Sequence, residues 1–174
     1  MKALLVAAIL TVGVIQVDYP KINPPSVWRV QNWSPFGEGS CVHASMYTVL
    51  HWQGQHAMAE WWKQSYHSGD IPERLEEKLN YAKLRYAETR TGDVRFLEWA
   101  MRTRRACAVC VQGGRHMVTL VHLDDKWAGI LDSNSPQQIK WLSRNAFLDD
   151  WTTTDFKWAV TVIYTPPPPP PRRK

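Results

Sequence analysis

Residues 116–134 read HMVTLVHLDDKWAGILDSN. Two runs rich in apolar, β-branched and aromatic residues flank the turn-forming residues 124–126, a pattern that predicts a β-hairpin. In such an antiparallel pair His116 is expected to lie opposite residues 132–134. Because side chains alternate between the faces of a strand, Asp132 and Asn134 share a face, and either one can orient the imidazole. A simple polar loop at residues 132–136 is the alternative interpretation.

Outward from this hairpin, the hydrophobic periodicity indicates helices on its N-terminal side and strands around it. A short helix capped by Ser143 is expected before the last strand. Helices followed by an antiparallel sheet predict the α+β class. The predicted helices cover residues 41–53, 58–66, 72–84, 93–104 and 144–151, and the predicted strands cover 106–111, 117–123, 127–131, 139–142 and 158–164.

Cys41 follows Ser40, the expected N-cap of the first helix. A thiol in the first helical turn lies beside unpaired backbone N–H groups and the positive end of the helix dipole, which lower its pKa and make it reactive. A lone cysteine is otherwise a small buried hydrophobic residue. Partners decide between these interpretations, and His116 with Asp132 or Asn134 provides a base and an orienting group.

Two motifs resemble the papain-like cysteine peptidases. Residues 39–45, GSCVHAS, resemble the segment around the nucleophile, while residues 116–121 and 130–132 resemble the strands that carry the family's His and Asp. The order and the short Cys-to-His separation are most similar to the compact bacterial branch that processes bacteriocin leaders, the double-glycine peptidases. The resemblance covers roughly residues 30–164. It implies a papain-like α+β fold with the nucleophile helix packed on a C-terminal antiparallel sheet.

The same resemblance implies a role for each residue of the site. Cys41 is then the nucleophile, His116 the base, and Asp132 the group that orients the imidazole, with Asn134 as a supporting residue. The family uses a Gln upstream of the nucleophile to stabilise the oxyanion, and Gln31 is the Gln available there. The backbone N–H of Cys41 is a second oxyanion donor. No metal or organic cofactor is needed for this chemistry.

A different constellation involves the other two cysteines. Cys107 and Cys110, with His116 and His122, form a C-x2-C-x5-H-x5-H array that can be interpreted as a zinc site. Residues three apart in a strand point to opposite faces, however, which disfavours both a shared metal and a disulfide. Packed thiols in a buried strand are therefore the preferred interpretation.

Composition narrows the functional class. Lys2 and the basic residues at 172–174 supply four of the five net positive charges, so the remaining chain is almost neutral and nucleic-acid binding is not predicted. The ten tryptophans either fill the core or form a wall for a ligand. Core filling is preferred for a cluster of five: Trp28, Trp33, Trp52, Trp61 and Trp62.

The two ends of the chain differ from the middle. Residues 1–16 have the basic start and apolar run of a signal peptide or N-terminal anchor, and residues 166–174 form a polyproline tail with a basic tip. A single peptidase domain is expected over residues 17–165. Export to the periplasm, cell envelope or medium is expected, with membrane or envelope association through either end as an open alternative.

These observations predict a thiol-dependent hydrolase that cleaves peptide or other amide bonds through an acyl-enzyme. A peptide or protein is the expected substrate. Two alternatives remain open at the level of sequence: a catalytically silent module that binds a peptide or glycan in the same cleft, and a transglutaminase-like transfer of the acyl group to an amine.

Overall fold

The structure is a computed structural model that describes residues 17–22, 30–33, 39–153 and 155–169. The helices of this part of the chain are α1 (Cys41–Trp52), α2 (His56–Ser65), α3 (Pro72–Tyr81), α4 (Val94–Arg102) and α5 (Arg144–Thr152). Its strands are β1 (Arg85–Thr89), β2 (Cys107–Val111), β3 (His116–Leu123), β4 (Trp127–Leu131), β5 (Lys140–Ser143) and β6 (Ala159–Tyr164).

The six strands form one sheet in the order β1-β6-β2-β3-β4-β5, and every neighbouring pair is antiparallel. The α+β prediction is confirmed. One detail was wrong: the sequence pattern placed all four leading helices before the sheet, whereas β1 lies between α3 and α4. The connection after α3 turns at Lys83, which has a positive φ of 54°, and leads directly into that strand.

Helices cover both faces of the sheet. The first core cluster joins α1, α2 and α3 to one face, and the second joins α4 and α5 to the other. Strand β2 shows the alternation directly, because Ala108 and Cys110 enter the first cluster while Cys107 and Val109 enter the second. The expected packing of the helix that carries Cys41 on the antiparallel sheet is confirmed, since α1 packs against β3 and β2.

At its open end the β3–β4 hairpin has the predicted register, and the register shifts by one residue between Leu120 and His122. Thr119 faces Leu131 and Leu120 faces Ile130. The carboxylate of Asp124 stabilises the turn, because its Oδ1 accepts the backbone N–H groups of residues 126 and 127 at 2.8 and 2.7 Å. The hairpin therefore directs the end of β4 toward the start of β3.

The helix starts differ in how they are capped. Ser143 caps α5 as predicted, because its hydroxyl accepts the N–H of Ala146. Ser40 is the N-cap residue of α1, as predicted, and its carbonyl accepts the N–H of Ala44, but its hydroxyl makes no capping bond. Its hydroxyl instead donates to Asn32 and accepts the N–H of Trp33.

The expected signal or anchor at residues 1–16 lies outside the described residues, as do the last five residues of the basic tail. Within the described part of the chain, no helix has both the length and the apolar character needed to cross a bilayer. The division into a domain at 17–165 and two terminal segments stays a prediction.

Candidate active site

Cys41 is the first residue of α1 and is almost completely buried, with 6% of its surface exposed. One turn further along the helix, the hydroxyl of Ser45 donates to the carbonyl of Met117 at 3.1 Å. The hydroxyl of Thr119 donates in return to the carbonyl of Ser45 at 3.3 Å. These two bonds fix the N-terminal half of α1 on β3, and so they fix the position of the thiol relative to that strand.

The main chain of Met117 can bond to α1 because the pairing of β3 with β4 has ended there, although Met117 still pairs with Cys110 of β2. Pairing between β3 and β4 begins at Thr119 and Leu131, so Met117 lies beyond the paired part of β3. Its C=O accepts the hydroxyl of Ser45, and its N–H donates to the sulfur of Cys41. A longer β4 would bond to the N–H and C=O of Met117, and here α1 provides their partners instead.

His116, the first residue of β3, connects the thiol to a carboxylate. Its Nε2 lies 2.7 Å from Oδ1 of Asp132. The ring also interacts with the Cys41 thiol, and this interaction shifts the pKa values of both groups. The side chains of His116 and Asp132 are 6% and 14% exposed. The three side chains therefore lie together in a largely dry environment.

These contacts shift the pKa values of the pair in opposite directions. Burial by itself raises the pKa of the Cys41 thiol, but hydrogen bonds from His116 and from the N–H groups of Met117 and Val42 bring it below its ordinary value. Burial by itself lowers the pKa of His116, but the hydrogen bonds to Asp132 and Cys41 raise it to about 9. Both shifts favour a thiolate beside an imidazolium.

Asp132 is held in its charged form. Burial raises the pKa of this carboxyl, and the hydrogen bonds from His116 and the backbone N–H of Asn134 outweigh that effect and lower it. The same Oδ1 accepts both bonds, at 2.7 Å from His116 and 2.9 Å from Asn134. Asn134 thus supports the carboxylate through its main chain, and its exposed side chain does not contact the imidazole in the described structure.

The segment that precedes α1 lies across this loop. The N–H of Asn32 donates to the carbonyl of Ser133 at 3.0 Å, and its side-chain amide lies 3.5 Å from Oδ1 of Asn134. Its own Oδ1 accepts the hydroxyl of Ser40. Gln31, the residue predicted from the sequence, is exposed. The contacts of Asn32 were not predicted, because nothing in the local sequence indicates that residues 30–33 meet the loop after β4.

A cleft of about 130 Å³ opens beside Cys41 and His116. Three glycines, which present only main chain to the cleft, form parts of its wall: Gly39, Gly69 and Gly114. Ile71 and Phe156 line the cleft with 55% and 53% of their surfaces exposed. The arrangement can admit an extended chain with apolar side chains.

A buried ionic cluster supports the wall opposite His116. Asp70 lines the cleft, and its Oδ2 lies 2.7 Å from Nζ of Lys78 and 3.3 Å from Nε2 of His43. His43 belongs to α1, two residues after Cys41, and stacks on Tyr66. Burial lowers the pKa of His43 and so favours its neutral form. The cluster ties the loop at residues 69–71 to the helix that carries the thiol.

Comparison with known proteins gives a structural likeness only. No protein-family model matches the chain, and no curated protein matches it. Among solved structures, the chain is similar to a double glycine motif protease from AMS/PCAT transporter, crystallised in complex with the leader peptide. The match has a TM-score of 0.49 and 18% identity, and it covers 70% of this chain and 82% of that chain.

The other sequence candidates lie apart from this site or in its wall. Cys107 and Cys110 are both free and buried on opposite faces of the sheet, as expected. No cluster of ligands suited to a metal ion occurs among the described residues. Four tryptophans of the predicted cluster pack in or against the first core cluster: Trp33, Trp52, Trp61 and Trp62. The fifth, Trp28, lies outside the described residues.

Proposed function

We propose that the protein is a thiol-dependent hydrolase of peptide or other amide bonds, with a papain-like arrangement of its site. One observation carries the proposal: Cys41 and His116 line the same cleft and interact, and Nε2 of His116 lies 2.7 Å from Oδ1 of Asp132. A nucleophile, a base and a group that orients the base are the minimum equipment for acyl transfer to a thiol.

The reaction follows from the protonation states of the pair. The Cys41 thiolate attacks the carbonyl carbon of the scissile bond, and the negative charge moves to the carbonyl oxygen. The N–H groups of the first helical turn have no acceptor within the helix, so the backbone N–H of Cys41 is the first candidate donor to this oxyanion, with the side chain of Gln31 as the second. The His116 imidazolium then protonates the leaving amine.

Hydrolysis of the acyl-enzyme uses the same groups in reverse. Neutral His116 removes a proton from water, the hydroxide attacks the thioester carbonyl, and the Cys41 sulfur leaves as a thiolate. Asp132 keeps the ring in the required orientation in both steps and stabilises its positive charge. An amine that replaces water would give transfer instead of hydrolysis, which product analysis distinguishes.

A peptide is the substrate class that the cleft supports best. Backbone walls and exposed apolar side chains suit an extended chain whose main chain lies against Gly39 and Gly69 while its apolar side chains contact Ile71 and Phe156. The tryptophan wall of the binding-module alternative is not supported, because Trp33, Trp52, Trp61 and Trp62 serve the core.

Selective alkylation is the first test. Iodoacetamide is expected to label Cys41 before Cys107 and Cys110, with an apparent pKa below the ordinary thiol value. His116→Ala should bring that pKa back toward the ordinary value. His122→Ala is the matched control, because His122 lies on the same strand and pairs with Asp124 at 2.8 Å outside the cleft.

Turnover is the second test. Incubation with a mixed peptide library is expected to give cleaved products by mass spectrometry with the wild type and none with Cys41→Ala, and added amine should distinguish transfer from hydrolysis. Equal, slow labelling of all three cysteines at alkaline pH only, together with no cleavage, would refute the hydrolase and favour a binding module.

A further inference from the structure

A second thiol lies in the same cleft as Cys41. Cys110 lines this cleft, is 7% exposed and is not bonded to another cysteine. The hydrolytic mechanism gives it no role. Cys107, three residues earlier on β2, is fully buried on the opposite face of the sheet.

The register of the sheet and the lining of the cleft place Cys110 and Cys41 beside the same residue, Met117. Cys110 faces Met117 across β2 and β3. The N–H of Cys110 donates to Trp158 on the other side, and the C=O of Met117 accepts from Ser45, so this is a pair without mutual hydrogen bonds. The α-carbons of such a pair lie about 4.5 Å apart. Because the Met117 N–H also donates to the Cys41 sulfur, both cysteines adjoin the same residue.

We propose that Cys110 is a resolving thiol that converts peroxide-oxidised Cys41 into a reversible Cys41–Cys110 disulfide. The inference depends on the proposed function in one respect, namely that Cys41 is the reactive thiol. The oxidant is hydrogen peroxide or another small hydroperoxide, which a cleft of about 130 Å³ can admit.

The chemistry balances in two steps. The Cys41 thiolate attacks one peroxide oxygen, the O–O bond breaks, and Cys41 becomes a sulfenic acid while hydroxide leaves and takes the proton of His116 to form water. The Cys110 sulfur then attacks the Cys41 sulfur, the S–O bond breaks, and the departing hydroxide takes the Cys110 proton as a second water. Two thiols lose two electrons in total, and one peroxide becomes two waters.

Electrostatics set the order of these steps. Burial first, and then the charge of the Cys41 thiolate, raise the pKa of Cys110 to about 11, so Cys110 is a protonated thiol while Cys41 is reduced. The sulfenic acid of Cys41 is neutral, and its formation removes that repulsion. His116, which gave up its proton in the first step, then lines the cleft and can relay the Cys110 proton to the departing hydroxide. Cys110 therefore becomes a nucleophile only after Cys41 has been oxidised.

The test is peroxide treatment of the full chain, followed by intact-mass measurement and non-reducing peptide mapping. The wild type and Cys107→Ala are expected to lose about 2 Da, the mass of two hydrogens, through a link between the peptides of residues 41 and 110. Thiol reductant should restore iodoacetamide labelling of Cys41. Cys110→Ala and Cys110→Ser should instead gain about 32 Da at Cys41, a sulfinic acid that reductant does not reverse.

Three results would overturn the inference: a sulfinic acid that forms equally fast in the wild type and in both Cys110 variants, a link that involves Cys107, or a link between two chains. Labelling of the reduced proteins separates this failure from that of the hydrolase. Selective labelling of Cys41 without a disulfide refutes the resolving role alone, whereas the absence of selective labelling refutes both proposals.

Discussion

Replacing Asp132 with asparagine isolates the charge of the carboxylate from its geometry. Oδ1 of Asp132 accepts both His116 and the N–H of Asn134, and the amide oxygen of Asp132→Asn can accept the same two bonds. Hydrogen bonds to charged groups contribute about 1.5–3 kcal/mol, against about 0.5–1.5 kcal/mol for neutral ones. The variant should therefore lose about 1–1.5 kcal/mol of imidazolium stabilisation while it keeps the orientation of the ring.

That loss corresponds to about one pKa unit, so the pKa of His116 should fall from about 9 to about 8. Histidine-ring NMR titration measures this shift without a known substrate. The alkaline limb of peptide cleavage should move by the same amount, because His116 loses the proton that the leaving amine requires. Asp132→Ala removes both bonds and should lower kcat/KM about 10- to 100-fold.

Asp124→Asn is the matched control. Its carboxylate pairs with His122 at 2.8 Å and accepts two backbone N–H groups, so the change in chemistry is the same at the opposite end of the hairpin. The pKa of His116 should not change in this variant. An unaltered His116 titration in both Asp132 variants would refute the argument that this carboxylate raises the imidazole pKa.

Three further predictions concern the frame around the site. Ser45→Ala removes the donor to the Met117 carbonyl and should lower the free energy of unfolding by about 1–3 kcal/mol in urea titrations, with slower alkylation of Cys41; unchanged alkylation would contradict the anchoring role. Gly114→Ala should destabilise by about 1–3 kcal/mol, because a Cβ there would lie 2.5 Å from Phe156 at a φ of +83°; an unchanged urea midpoint would refute this. The pKa of Asp70 is lowered in the fold, so the carboxylate stabilises the fold above its ordinary pKa, and this stabilisation is lost as the pH falls through the folded pKa. Asp70→Asn should abolish this part of the acid dependence of unfolding. An acid unfolding profile identical to that of the wild type would refute the prediction.

Local signals account for what the sequence predicted well. The hairpin at residues 116–134 could be predicted because its turn and its two apolar runs are contiguous, and its register then limits the partners of His116 to three residues. The position of Cys41 at the start of a helix follows from helical periodicity in the same way. Both features depend on neighbours within a short stretch of chain.

Tertiary contacts account for what the sequence did not reveal. Strand β1 is short and polar at the edge of the sheet, and no glycine marks the end of α3, so the helical pattern was extended through Leu84. The contacts of Asn32 with the loop after β4 and the burial of Asp70 against His43 join distant segments. Neither hydrophobic periodicity nor motif spacing in the sequence predicts such long-range contacts.

The residue at which β4 ends has a consequence for the candidate site. Adding one more pair of residues to that strand would let it compete with the helix for the amide and carbonyl of Met117, and both claims cannot be met at once. The length of β4 therefore matters for the site. A β4 that paired with Met117 would displace α1 from β3 and would separate the Cys41 sulfur from His116. Incomplete pairing at this edge is the condition under which the site exists.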